Sequence, residues 1–136
     1  MQQGYYRKPT LWRDRVVFVS EDDLWEVPAA GGVARRLTAN PGRASDPWFS
    51  PDGVWLACTG RDEGHPEVHV MPAEGGPARR LTFLGAETAV AGWTPDGREV
   101  LFATTSGQPF RRSTVLGRVP LEGGPSTLLT WGPAAA

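Results

Sequence analysis

Short apolar runs separated by turn residues recur along the whole chain, and no segment of ten or more residues has a helical spacing of apolar positions. The middle part predicts four strands, at Asp46–Ser50, Trp55–Thr59, Val68–Pro72 and Ala78–Leu81. Similar runs on either side predict four strands each: Thr10–Trp12, Arg15–Ser20, Asp23–Pro28 and Val33–Leu37 before it, and Val90–Thr94, Glu99–Thr104, Thr114–Pro120 and Ser126–Leu129 after it. The pattern therefore predicts an all-β protein made of three four-stranded units.

The three units repeat one another in sequence as well as in pattern. The phrase GGVARRLT begins at Gly31, GGPARRLT begins at Gly75, 44 residues later, and a looser GGPSTLLT begins at Gly123. FSPDGVWLAC from Phe49 and WTPDGREVLF from Trp93 are again 44 residues apart. A period of about 40–50 residues is typical of repeat architectures.

The second strand of each unit indicates which repeat architecture this is. VVFV from Val16, WLAC from Trp55 and VLFA from Val100 are apolar without alternation. A sheet with one solvated face would alternate, so these sheets must be covered on both faces. Small four-stranded sheets covered by copies of themselves are the blades of a β-propeller. We therefore predict three four-stranded antiparallel β-propeller blades, at about 10–38, 46–82 and 90–130, which make residues 1–136 half of a six-bladed propeller.

Tight turns join the predicted strands, and their residues have structural roles. Proline presets φ, aspartate bonds nearby backbone N–H groups, and glycine accepts a positive φ. The first turn of the second and third blades is assigned to Pro51, Asp52 and Gly53 and to Pro95, Asp96 and Gly97. The third turn of each blade is assigned to glycine pairs: Gly31 and Gly32, Gly75 and Gly76, and Gly123 and Gly124.

Composition and charge exclude several classes of function. The chain is 40% hydrophobic and 21% charged, and its net charge of −1 gives no basic excess for nucleic acid. No apolar run approaches the roughly 18 residues needed to span a bilayer, and the N-terminus lacks a secretory h-region. Cys58 is the single cysteine, which excludes an internal disulfide framework. We expect a cytoplasmic protein without nucleic-acid or membrane partners.

No residue pattern predicts catalysis. No serine lies in a G-x-S-x-G elbow, and the two histidines, His65 and His69, are assigned structural roles. Cys58 lies in an apolar run, and Glu21–Asp23 is too short to supply a calcium loop. We therefore expect no catalytic, cofactor-binding or metal-binding residues, and no enzymatic activity of the chain on its own.

The second turn differs from blade to blade, unlike the first and third turns. Variable loops on a fixed scaffold are where binding usually occurs. Arg111 and Arg112 lie in such a turn, beside Pro109 and Phe110, where a guanidinium pair could hold a peptide carboxylate. The other pairs, Arg35–Arg36 and Arg79–Arg80, lie in the outermost strands, where charge discourages edge-to-edge aggregation.

The sequence resembles a known family. GYYRKPTLWRDRVVFVSEDDLWEVPAAGGVARRLT from Gly4, the repeated FSPDG pattern, and GWTPDGREVLFATTSGQPF from Gly92 resemble the N-terminal six-bladed propeller of tricorn protease and its bacterial homologues. The resemblance covers essentially the whole chain, although TolB-like propellers share the repeat.

The resemblance implies a role in proteolysis without catalysis. In that family two propellers precede a PDZ domain and a serine-peptidase core, and the propellers gate peptide entry and product exit. The alternative is a TolB-like binding module with no peptidase attached. The family's best-known member has an arginine pair in the linker after the second blade. Here that linker, Phe83–Ala89, reads FLGAETA, so that role does not transfer.

Three blades alone do not close a ring. If each end face exposes about 300–500 Å² of apolar area, leaving it in water forgoes about 8–12 kcal/mol. We therefore expect either a homodimer that completes a six-bladed ring or the remaining blades of a longer chain.

Overall fold

The protein is an all-β chain of three sheets. The computed structural model describes residues 7–38, 43–61, 64–107 and 114–129, and no helix occurs in these ranges. The first sheet comprises β1 (Arg7–Trp12), β2 (Arg15–Ser20), β3 (Asp23–Pro28) and β4 (Arg35–Arg36). The second comprises β5 (Arg43–Phe49), β6 (Trp55–Arg61), β7 (Glu67–Pro72) and β8 (Arg79–Arg80). The third comprises β9 (Thr88–Trp93), β10 (Glu99–Thr104), β11 (Val115–Pro120) and β12 (Thr127–Leu129).

Each sheet is a simple antiparallel meander. The strand orders are β1-β2-β3-β4, β5-β6-β7-β8 and β9-β10-β11-β12, so every strand pairs with its neighbour in the chain. The predicted fold class, three four-stranded antiparallel propeller blades, is confirmed. We call the sheets the first, second and third blade. No helix of the described residues is long and apolar enough to cross a membrane.

The core lies between consecutive blades. One cluster joins the first and second blades and includes Val17, Leu24, Leu56 and Met71. A second cluster joins the second and third blades and includes Ala57, Val70, Phe102 and Val119. Leu56 and Ala57 are neighbours in β6 but belong to different clusters, because successive side chains of a strand point to opposite faces. The apolar run WLAC thus fills two cores at once.

A bulge kinks the innermost strand of the first two blades at the same place. Lys8 and Asp46 both have φ of 52°, and each precedes a proline, Pro9 or Pro47. The pairing register shifts at both sites, between Arg7 and Thr10 in β1 and between Ser45 and Trp48 in β5. An extra residue at such a bulge re-aims the side chains around it. The side chains of Lys8 and Asp46 meet here as an ion pair between blades.

The first turns of the second and third blades have the same geometry. Gly53 and Gly97 both have φ of 73°, and each N–H donates to the carbonyl three residues earlier, at 2.9 Å. The Asp52 carboxylate accepts from Ser50 Oγ at 2.6 Å and from the Val54 N–H at 3.0 Å. These two bonds hold the pKa of Asp52 below its usual value. In the third blade Pro95 precedes Asp96, and Asp96 makes the corresponding bonds.

The third turns also repeat. The N–H groups of Gly31, Gly75 and Gly123 each donate to the carbonyl of the proline three residues earlier, at 2.9–3.0 Å. All six glycines of these turns have positive φ, between 97° and 141°: Gly31, Gly32, Gly75, Gly76, Gly123 and Gly124. A side chain at these positions would strain the backbone.

Hydrogen bonds between blades supplement the apolar clusters. Trp12 Nε1 donates to Pro51 O at 3.1 Å, and Trp93 Nε1 donates to Trp48 O at 2.9 Å. Both indoles therefore tie a blade to the second blade through a backbone carbonyl.

Arginines make a second set of contacts, on the third turns. Arg35 Nη2 donates to Glu74 O at 3.2 Å, and Arg79 Nη2 donates to Leu121 O at 2.8 Å. The first arginine of each pair in the outer strands thus holds the next blade, in addition to placing charge on the sheet edge.

Candidate functional site

A cavity of about 380 Å³ opens where the innermost strands of all three blades begin. Three kinds of segment line it: the starts of β1, β5 and β9, the ends of β2 and β6, and the second turns of the first two blades. The lining residues are Lys8, Val19, Asp22, Arg43, Ala44, Ser45, Asp46, Thr59, Arg61, Pro66, Glu87, Thr88 and Ala89. We call this the axial cavity, because the innermost strands of propeller blades surround the propeller axis.

Charges of both signs line the axial cavity in pairs. Arg43 Nε lies 3.6 Å from Asp22 Oδ2, and Arg61 Nη2 lies 3.8 Å from Glu87 Oε2. The Arg43 side chain is largely exposed, and both sides of the Arg61–Glu87 pair face solvent. These pairs are long and solvated, so each contributes little to stability and either guanidinium is free to turn to a ligand.

A chain of polar contacts crosses the three blades at the cavity wall. Lys8 Nζ pairs with the Asp46 carboxylate, which accepts a hydrogen bond from Thr59 Oγ1 at 2.9 Å. Thr59 Oγ1 in turn accepts from the N–H of Val90 at 2.9 Å. Because Lys8, Asp46 and Val90 belong to β1, β5 and β9, the chain fixes the innermost strands relative to one another.

Glu67 follows Pro66 of the cavity lining in the chain, and hydrogen-bond donors surround its buried carboxylate. Its side chain is 2% exposed. It accepts from Thr82 Oγ1 at 2.6 Å, from the Leu84 N–H at 3.0 Å and from the Gly85 N–H at 2.8 Å. Arg80 Nη2 lies 3.4 Å from it. Glu67 therefore anchors the segment that links the second blade to the third, which leads to Glu87 and Thr88 in the cavity wall.

The two histidines and the cysteine lie in different surroundings. His69 is buried, with Nδ1 3.1 Å from the carbonyl of Glu67, and His65 Nδ1 lies 3.8 Å from Glu87. Burial, with a smaller contribution from Asp46, raises the pKa of the Cys58 thiol to about 12. The thiol is therefore protonated and unreactive at neutral pH. In the part of the chain that the structure describes, no group of three or more His, Cys, Asp or Glu is placed to hold a metal ion.

The structure brings together residues that the sequence did not single out. Arg111 and Arg112, the predicted peptide-binding pair, lie outside the described residues. The second turns of the first two blades each contribute one residue to the cavity lining, Asp22 and Pro66. Lys8 and Asp46 were missed, although each precedes a proline at an equivalent point of its repeat.

Comparison with known proteins identifies the family. The tricorn protease N-terminal β-propeller domain matches residues 3–136. The chain belongs to this family.

Two of the relatives that the chain matches are much longer than the chain itself. Tricorn protease homolog 1 of Streptomyces coelicolor is 47% identical over 131 residues, which are 96% of this chain and 12% of that protein. The crystal structure of the tricorn protease matches with a TM-score of 0.81 and 29% identity, over 94% of this chain and 13% of that one. The chain thus spans about an eighth of the length of each of these two proteins.

TolB proteins share the fold. The crystal structure of TolB from Acinetobacter baumannii matches with a TM-score of 0.76 over 95% of this chain and 33% of that one. Its identity of 23% shows a common fold alone. The family match therefore assigns this chain to the tricorn protease N-terminal β-propeller domain, and the likeness to TolB adds only that the fold is shared.

Proposed function

We propose that the chain is a non-catalytic propeller segment of a tricorn-like serine peptidase, and that its axial cavity forms part of the route by which peptides enter or leave. The observation that carries the proposal is the cavity itself. It lies where the innermost strands of the three blades begin. Its lining includes the positively charged Arg43 and Arg61 and the negatively charged Asp22 and Glu87.

The cavity's chemistry fits a short peptide with free ends. A peptide at neutral pH carries a terminal carboxylate and a terminal ammonium group. Guanidinium groups bind carboxylates through paired charge-assisted hydrogen bonds, and Arg43 and Arg61 are accessible for this. Asp22 and Glu87 would hold the ammonium end. Weak, replaceable ion pairs suit a route through which peptides pass, since tight binding would block it.

Binding of a short peptide tests the proposal. Tetra-alanine with free termini should bind the chain with a dissociation constant of about 1 mM, and the same peptide with capped termini should bind at least about tenfold more weakly. The measurement is a titration followed by NMR chemical shifts.

Paired variants locate the site. The double variant Arg43→Gln/Arg61→Gln should lose most of the binding. Arg98→Gln is the matched control, since Arg98 is an exposed arginine in the first turn of the third blade, away from the cavity lining. Equal binding of free and capped peptides, or an unchanged affinity in the double variant, would refute peptide handling by this cavity.

A TolB-like binding module without a peptidase is the second candidate, supported by the common fold. The coding sequence beyond residue 136 separates the two. A PDZ-like segment followed by a serine-peptidase region supports the first proposal, and a stop codon at that point supports the second.

A further inference from the structure

Trp48 is a half-exposed aromatic residue on a blade that has a neighbour on each face. Apolar clusters join the second blade to the first and to the third. Phe49, the next residue of β5, is 7% exposed, whereas Trp48 is 44% exposed. The uncovered faces of the first and third blades therefore do not account for this exposure. Because β5 is the innermost strand of its blade, the exposed part of the indole borders the propeller axis.

The equivalent positions of the other two blades carry small residues. Thr10, Trp48 and Gly92 each pair with the third residue of the second strand in their blade. A Cβ atom on Gly92 would meet no other atom within 4 Å, so the third blade is open at this level. The repeat itself thus does not require a tryptophan at this position, and the neighbouring blade leaves space for a ligand there.

The backbone holds Trp48 in place while its side chain stays available. Pro47, which is buried and restricted in φ, precedes it. The carbonyl of Trp48 accepts the indole N–H of Trp93 at 2.9 Å. Trp12 and Trp93 both donate their indole N–H groups to the second blade, but in the described part of the chain no such bond engages the indole of Trp48. A rigidly placed aromatic side chain loses little conformational entropy when a ligand covers it.

The axial cavity itself offers no comparable surface for a large apolar side chain. The described residues of its lining are charged or small, and Val19 and Pro66 are the largest apolar ones. These residues can hold the charged ends of a peptide, but they cannot distinguish one aromatic side chain from an alanine by stacking. An aromatic pair with Trp48 would add that distinction.

We propose that Trp48 is a subsite that binds an aromatic side chain of a peptide whose carboxyl end lies in the axial cavity. The inference rests on the proposed function, which supplies the bound carboxyl end. Arg43 and Trp48 belong to the same strand, β5. Five steps along a strand separate them by about 15 Å, which an extended peptide covers in about five residues. The subsite therefore selects the side chain about five residues from the carboxyl end.

Peptides with a single phenylalanine test this distance. Seven-residue peptides of alanine and serine with free ends, which differ only in the position of one phenylalanine, are titrated into the chain and followed by NMR. The peptide with phenylalanine fifth from the carboxyl end should bind about three- to tenfold more tightly than the peptide with phenylalanine second from that end. The indole N–H resonance of Trp48 should shift with the first peptide and not with the second. Equal affinity at every position would overturn the proposal.

Two aromatic variants locate the subsite. Trp48→Ala should lower the affinity of the preferred peptide to that of the peptide without phenylalanine. Phe83→Ala is the matched control, because Phe83 is 72% exposed, packs against the Arg80 guanidinium and lies outside the cavity lining. This variant should keep the dependence on position. A dependence that survives in Trp48→Ala, with circular dichroism showing a folded chain, would refute the subsite.

The two sets of peptides separate this proposal from the one on which it rests. If tetra-alanine binds and the position of phenylalanine has no effect, the cavity proposal stands and the subsite is wrong. If tetra-alanine does not bind but phenylalanine peptides still shift the Trp48 resonance at every position, the cavity proposal and the distance rule both fail. If the preferred peptide loses its advantage when its carboxyl end is amidated, the link between Trp48 and the cavity is confirmed.

Discussion

Gly53 lies directly against the indole ring of Trp12. A Cβ atom on Gly53 would stand 2.3 Å from Cδ2 of Trp12, far inside van der Waals contact. The same indole donates its N–H to Pro51 O, two residues earlier in the turn. The Trp12 side chain of the first blade thus packs against the first turn of the second blade. It fits there because Gly53 has no side chain.

The equivalent glycine of the third blade, Gly97, has the same backbone conformation without the contact to a tryptophan, so it serves as a control. Gly97 has the same φ of 73°, but a Cβ there would meet only Pro51, at 3.5 Å. Gly53→Ala and Gly97→Ala should both lose about 1 kcal/mol of unfolding free energy from backbone strain. Gly53→Ala should lose about 1–3 kcal/mol more, since the Trp12 ring must move. Urea denaturation measures the unfolding free energy of both variants. Equal losses would contradict the close packing of Trp12 on Gly53.

The buried carboxylate of Glu67 should contribute more to stability than its counterpart in the first blade. Glu67→Gln replaces an acceptor with an amide whose N–H₂ would face other donors, and should lower the unfolding free energy by about 2–4 kcal/mol. Asp23 occupies the same position in β3, is more exposed, and accepts from Thr38 Oγ1 at 2.7 Å. Asp23→Asn should cost about 1 kcal/mol.

Hydrogen exchange gives a second readout of Glu67. The amide protons of Leu84 and Gly85 should exchange faster in Glu67→Gln than in the unaltered chain, because each donates to this carboxylate. Unchanged exchange there would contradict the proposed anchoring of the linker.

Stability should fall on acidification below the usual range of carboxyl groups. A hydrogen bond from Arg15, opposed by desolvation, holds the pKa of Glu26 below its ordinary value of 4.5. The native carboxylate therefore resists protonation that the unfolded chain accepts. The stabilisation is complete above pH 4.5 and is lost as the pH falls through the lowered native pKa.

A variant cycle isolates this pair. Denaturation between pH 3 and 7 should show a shallower acid decline in Glu26→Gln than in the unaltered chain. In an Arg15→Gln background the substitution of Glu26 should have little effect on that slope, because the main cause of the shift is gone. A Glu26→Gln effect of equal size in both backgrounds would refute the assignment to Arg15.

Cys58 should be protected from thiol reagents as long as the protein is folded. It is buried between the first two blades, and its pKa is raised to about 12. Iodoacetamide at pH 8 should label the native chain at the rate of unfolding, and label it fully in 6 M urea. Rapid labelling of the native chain, measured by mass spectrometry, would show that the first and second blades separate without unfolding.

The strands and turns could be predicted because their signals are local. Asp52 and Gly53 lie within three residues of the groups that they bond. The apolar run Trp55–Cys58 likewise indicates, from neighbouring residues alone, a strand that is covered on both faces. Strand ends were less certain, and β5 begins at Arg43, three residues before the predicted Asp46. There the bulge at Asp46 hides the regular pattern.

The candidate site could not be predicted in the same way. Lys8 and Asp46 are 38 residues apart, and each reads as an ordinary polar residue before a proline. Glu67 reads as a solvated charge beside a turn, yet it is buried. Its donors, Thr82, Leu84 and Gly85, come from the next linker.

The sequence alone determined that this chain is three copies of one four-stranded unit, because turn chemistry and apolar runs act over a few residues and repeat with the unit. Only the tertiary structure decided which charges meet and which carboxylate is buried. Those outcomes depend on how one blade lies against the next, and the residues that meet there belong to different repeats.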